Sequence, residues 1–154
     1  MMSIKLNLKN DLQNDFKGYF DFETMLWNNI EGDVEMRIDQ SQALFRDRPA
    51  LHMLSTLAII AKKLESGDTA PQPWADKFLD YSMTLARQGD LVDIYTNADA
   101  SGKRLPKSHR LGTIPVSDFT RSVREGLSTI FDHVRSTRPD IASMPEFTSR
   151  FPAL

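Results

Sequence analysis

Val34-Glu35-Met36-Arg37-Ile38-Asp39-Gln40-Ser41-Gln42-Ala43-Leu44-Phe45-Arg46-Asp47-Arg48-Pro49-Ala50-Leu51-His52-Met53-Leu54 changes its hydrophobic period once, and that change decides the fold class. Val34, Met36 and Ile38 alternate with Glu35, Arg37 and Asp39, the two-residue repeat of a strand with one buried face. After the polar Gln40-Ser41, the run Ala43-Leu44-Phe45 returns as the second arm of a hairpin. From Pro49 the period lengthens: Leu51, Leu54, Leu57, Ala58, Ala61 and Leu64 share one broad face, which predicts a helix over about 49–66. Pro49 falls in the first turn, where its missing N–H is no loss, and Asp47 is a candidate capping carboxylate. Lys62 and Lys63 suit the negative end of the helix, and Gly67 supplies the stop.

Working outward, Ile4, Leu6 and Leu8 alternate with Lys5, Asn7 and Lys9 and predict a first strand over 3–9. Asp21 is placed to cap a short helix carrying Phe22, Met25, Leu26 and Ile30, ended by Gly32. On the other side, Asp68 to Pro73 reads as a loop, because Pro71 and Pro73 remove donors and disfavour helix before them. Phe78, Leu79, Tyr81 and Met83 form a mixed run, and Leu85–Gln88 and Leu91–Thr96 flank Gly89-Asp90 as a further hairpin. A helix through 75–87 is the competing reading. Asn97 to Arg110 is predicted as the main irregular loop, and Ser117 as the cap of a second helix in which Phe119, Val123, Leu127, Ile130 and Val134 keep the helical period to about Ser136. The tail 138–154 holds Pro139, Pro145 and Pro152 among Ile141, Met144, Phe147 and Phe151, and is expected to pack as an extended or short helical strap.

These elements predict an α+β fold: one largely antiparallel sheet with two main amphipathic helices packed on one face. With 154 residues, 40% hydrophobic and 26% charged, the chain fits a single domain over 1–154 with enough apolar surface for its own core. The 21 acidic and 19 basic residues are interspersed, so no field gathers a phosphate backbone, and nucleic acid is disfavoured as a partner. The N-terminus lacks the apolar core of a secretory signal, and the longest apolar run, Leu57–Ala61, is too short to span a bilayer. No cysteine is present, which suits a reducing compartment. The expectation is a cytoplasmic protein with no membrane partner.

Chemistry is sparse. His52, His109 and His133 lack a second ligand at metal spacing, so neither a metal centre nor any other cofactor is expected. Asn97-Ala98-Asp99-Ala100-Ser101-Gly102 opens like a calcium loop, but its twelfth position is Ser108 rather than glutamate, and Lys103 and Arg104 bring positive charge; a turn is the better account. Nucleotide and hydrolase glycine motifs are missing, and the pairs Asp33/Glu35 and Asp90/Asp93 need only be solvated. Trp27 reads as core, whereas Trp74 stands open between core lid and exposed contact. Arg46-Asp47-Arg48 and Lys103-Arg104 with Lys107 and Arg110 are basic clusters suited to an acidic partner, or simply solvated.

Phe22-Glu23-Thr24-Met25-Leu26-Trp27-Asn28-Asn29-Ile30-Glu31-Gly32 resembles stretches in small immunity proteins of bacterial polymorphic and contact-delivered toxin systems, the type VI system among them. The hairpin that follows, Phe45-Arg46-Asp47-Arg48-Pro49 opening a helix, further strands, and Val116-Ser117-Asp118-Phe119 opening the last helix are similar in order, over about 20–135. The resemblance implies a non-catalytic inhibitor that binds a cognate toxin in the cytoplasm and blocks its active site or target-binding surface. The expected contacts are Arg37 on the hairpin and Asp99, Lys103, Arg104 and Lys107 in the 97–110 loop. The alternatives are a non-catalytic adaptor or oligomeric scaffold docking through sheet edges or the proline-rich tail, and an enzyme using sheet carboxylates. Oligomeric state is open.

Overall fold

The computed structural model describes residues 1–9, 30–76, 80–145 and 147. Residues 21–29 of the expected short helix, Trp27 among them, lie outside this set; Gly32, expected to end that helix, stands instead in a strand. The chain is α+β, as its periodicity predicts, but it builds two antiparallel sheets rather than one. The first holds β1 (Met2–Leu8), β2 (Glu31–Ile38) and β3 (Ser41–Pro49) in that order. Helix α1 (Ala50–Glu65) follows directly. The second sheet is a meander of β4 (Gln72–Ala75), β5 (Ser82–Gln88), β6 (Leu91–Ala98) and β7 (Arg104–Pro115), leading into α2 (Val116–Thr137) and the short α3 (Pro139–Ala142).

The hairpin arms match the sequence reading. Ile38 pairs with Ser41 across Asp39-Gln40, and Asp39 takes the positive φ of 53° that closes so tight a turn. At the far end of β3 the register slips by one, so that Asp33 faces both Arg46 and Asp47. Asp47 is therefore the left-handed residue of a β-bulge (φ 52°) and not a helix cap. Its N–H donates to Asp33 Oδ1 at 3.0 Å, and its carboxylate takes Lys9 Nζ at 2.5 Å. Pro49 ends β3, so the helix begins at Ala50, one residue later than expected, and no side chain caps α1. Nor does Ser117 cap α2, since it lies inside a helix that begins at Val116; Asp118 does stand in the favourable first turn.

Two further expectations fail, and a competing reading is excluded. Gln72 and Pro73 belong to β4, whose place at the sheet edge tolerates a residue without an N–H. The helix alternative over 75–87 is excluded by β5, while Phe78 and Leu79 of the mixed run lie outside the described residues. Most of the predicted 97–110 loop is strand, with only 99–103 left as a connection. At Gly89 (φ 61°) the expected β5–β6 turn is present. Of the strap, Ile141 and Phe147 are buried, and Phe147 meets Phe131 edge to face at 5.6 Å.

Both sheets share one core. Val34, Met36, Ile38, Ala43 and Phe45 of the first sheet and Met83, Leu85, Val92, Ile94 and Ile114 of the second are buried in one cluster with the inner faces of α1 and α2. Gly126 of α2 lies against Leu54 of α1 and Ile4 of β1, an approach that leaves no room for a Cβ. Trp74 belongs to the core, and its Nε1–H donates to Thr56 Oγ1 at 2.8 Å. No described helix is long and apolar enough to cross a membrane.

Candidate functional site

The β3 bulge turns two arginines toward the second sheet. Arg48 Nη1 donates to Asp76 Oδ1 at 3.2 Å and to Asp80 Oδ2 at 3.1 Å, its Nε donates to Arg46 O at 2.7 Å, and its guanidinium carbon lies 5.1 Å from the centre of the Tyr81 ring. This pair is enclosed: the Arg48 side chain is 12% exposed and that of Asp76 2%. Asp76 Oδ2 also accepts the Tyr81 N–H at 2.5 Å, and Asp80 accepts Arg104 Nη1 at 2.9 Å. One carboxylate pair thus links β3, the approach to β5 and the start of β7.

Tyr81 carries the connection to the β6–β7 turn. Its hydroxyl donates to Gly102 O at 2.7 Å and accepts the Arg46 N–H at 3.4 Å. Gly102 (φ 85°) is needed twice over, by its left-handed backbone and by the Arg46 stem lying where a Cβ would project. Asp99 Oδ1 accepts from Ser101 N–H at 2.8 Å, Ser101 Oγ at 2.7 Å and Lys103 N–H at 2.9 Å. Its carbonyl accepts the Leu44 N–H of β3 at 2.9 Å. The aspartate that resembles a calcium ligand in the sequence is committed to its own turn and to the neighbouring sheet. Among the described residues no cluster of metal-ligating side chains occurs. His109 Nε2 meets Ala98 O at 2.9 Å.

Three of the five expected contact residues, Asp99, Lys103 and Arg104, are gathered in this turn. Lys107 lies further along β7, where four residues, 105–108, face the single Asn97 of β6. Arg37 stands on the outer face of the first sheet, 3.9 Å from Glu35 Oε1 and beside Gln42. The local charge is polarised: Asp76, Asp80 and Asp99 are engaged in bonds, while Arg46, Lys103 and Lys107 are exposed and make no salt bridge among the described residues, although the charge of Lys103 acts on Asp99 and that of Arg46 on Asp47. Sequence reading singled out the exposed cations but not the roles of Asp76, Asp80 and Tyr81. No periodic pattern marks those three, because their contacts with β3 join residues 28 to 35 positions apart and those with Gly102 and Arg104 residues 21 and 24 apart.

Hydrogen bonds hold several aspartates below their ordinary value of 3.8: Asp99 through the Ser101 hydroxyl and the Lys103 N–H, Asp93 through the Thr113 hydroxyl and then Arg110, Asp118 through Arg121, Asp47 through Lys9, and Asp140 through Arg138, down to about 2. A carboxylate with a depressed folded pKa stabilises the fold above its unfolded pKa and loses that contribution as pH falls through the folded value. The melting temperature is therefore expected to fall as pH drops from the ordinary value of 3.8 toward about 2. Thermal melts followed by circular dichroism check this; a melting temperature that rises through the same window contradicts it.

Comparisons of the chain with family models, with curated proteins and with solved structures return no match.

Proposed function

We propose that this chain is a non-catalytic binding protein that neutralises a cognate bacterial toxin in the cytoplasm by covering its active site or target-binding surface. The contact surface is the β6–β7 turn with the adjoining β3 bulge. The observation that carries the reading is the polarised turn. Its carboxylates are spent on internal bonds and its cations Arg46, Lys103 and Lys107 face outward from a backbone held by Tyr81 and Leu44. A preorganised cationic surface suits an acidic protein face, because complementary charge speeds encounter and fixes orientation while little ordering remains to be done on binding. The immunity-protein resemblance supplies the class of partner.

The test is co-expression with the product of the neighbouring gene, followed by affinity measurement with the purified pair. Wild-type chain is expected to rescue growth and to bind. The triple reversal Arg46→Glu/Lys103→Glu/Lys107→Glu is expected to weaken binding by roughly 100-fold or more, at about tenfold per 1.4 kcal/mol, with an unchanged melting temperature. A neighbouring product that is neither toxic nor bound would sink the proposal; undiminished binding by the reversed variant would move the contact elsewhere.

A further inference from the structure

Of the sheet edges, β1 is guarded among the described residues only at its Met2 end, where α2 meets it. The β4 edge is four residues long and carries Pro73; β3 ends in the Asp47 bulge and is met by the Asp99 turn; β7 is bulged and holds Pro106 and Lys107. Such devices keep an edge from pairing with another chain. In contrast, β1 pairs with β2 in one unbroken register from Met2–Ile38 to Leu8–Gly32, with neither bulge nor proline.

The direction of its free groups follows from that register. Met1 O accepts the Asp39 N–H and Lys9 N–H donates to Glu31 O, so the odd-numbered residues bond toward β2 and the even-numbered ones face away. Met2 confirms the parity. Its N–H donates to Asp118 Oδ2 and its carbonyl accepts from Ser122 Oγ, both on α2. The outward N–H and C=O of Ile4, Leu6 and Leu8 have no partner among the described residues, and their side chains are only partly buried against the core.

We infer that β1 is a self-pairing edge, through which two copies of this chain join as antiparallel strands about a twofold axis at Leu6. Only this register uses all three outward residues: Ile4 faces the second copy's Leu8, Leu6 faces Leu6, and Leu8 faces Ile4. It is also the one the charges favour. With the axis at Lys5, that lysine opposes its own copy; with the axis at Asn7, Lys5 opposes Lys9; and like charges directly opposite are destabilising. With the axis at Leu6, Lys5 meets Asn7 and Lys9 meets Ser3, while the half-buried Ile4, Leu6 and Leu8 cover one another. The result is a continuous six-stranded sheet from the two three-stranded ones. This inference does not rest on the toxin reading.

Sedimentation velocity over a concentration series is expected to show a reversible dimer. Asn7→Lys sets a lysine against the second copy's Lys5 at two symmetric places, yet within its own fold position 7 stands opposite Asp33, so the domain itself is not weakened. That variant is expected to raise the dimer dissociation constant roughly fivefold or more. The chain has no cysteine of its own, so an added thiol oxidant should cross-link Leu6→Cys, whose two copies face each other at about 5.5 Å between Cα atoms, and not Ile4→Cys, whose copies stand apart. A wild-type chain that stays monomeric at every concentration overturns the inference, as does cross-linking of Ile4→Cys as readily as Leu6→Cys.

Discussion

Replacing Asp76 by alanine is expected to lower the unfolding free energy by about 3–5 kcal/mol, the range for removing one partner of an enclosed ion pair. Two losses coincide. Arg48 keeps Asp80, whose side chain is 36% exposed and already shared with Arg104, and the Tyr81 N–H loses its 2.5 Å acceptor. The Arg48→Met/Asp76→Leu double variant is expected to recover part of the loss, because apolar groups of similar volume replace a buried pair at little cost, whereas the Tyr81 N–H stays unsatisfied. Urea denaturation of both variants measures the difference. A loss under about 1 kcal/mol for Asp76→Ala would place the pair in the class of surface salt bridges and remove it as a clamp.

Phe45→Ala is expected to cost about 3–5 kcal/mol by the same assay. Phe45 is fully buried and meets Trp74 edge to face at 6.0 Å and Tyr81 at 5.3 Å, so one ring of β3 supports the aromatic pair of the second sheet. Truncation leaves a void that neither sheet can close alone, since their backbones are held by separate ladders. Phe45→Leu, which keeps most of the volume, should lose much less. The Ala variant also bears on function, because Tyr81 holds Gly102: weaker binding of a partner at the turn should accompany the lost stability, even in molecules that remain folded. Equal stability of the Ala and Leu variants would argue that the site collapses and that Phe45 is not the wedge between the sheets.

The hairpin, α1 and α2 were legible because each writes its burial into a local period. Val34-Met36-Ile38, Leu51-Leu54-Leu57 and Phe119-Val123-Leu127 point to one face each without reference to any distant residue. β7 was not legible for the same reason in reverse. Its ladder skips Leu111 and bulges over 105–108, so strict alternation is broken, and Pro106 and the charges of 103–110 imitate a loop. Likewise Asp47 looks like a helix cap from its neighbours in the chain; its role in the bulge depends on Asp33 and Lys9.

The amino-acid order by itself determined the α+β class, the first hairpin, both long helices and the cations of the candidate surface, since periodicity and charge are properties of neighbouring residues. Tertiary structure alone decided that the strands divide into two sheets and that Arg48, Asp76, Asp80 and Tyr81 hold the 99–103 turn in place. The physical reason is separation along the chain. Those contacts join residues that share no periodic relation, and they exist only after the shared core has brought β3 against the second sheet.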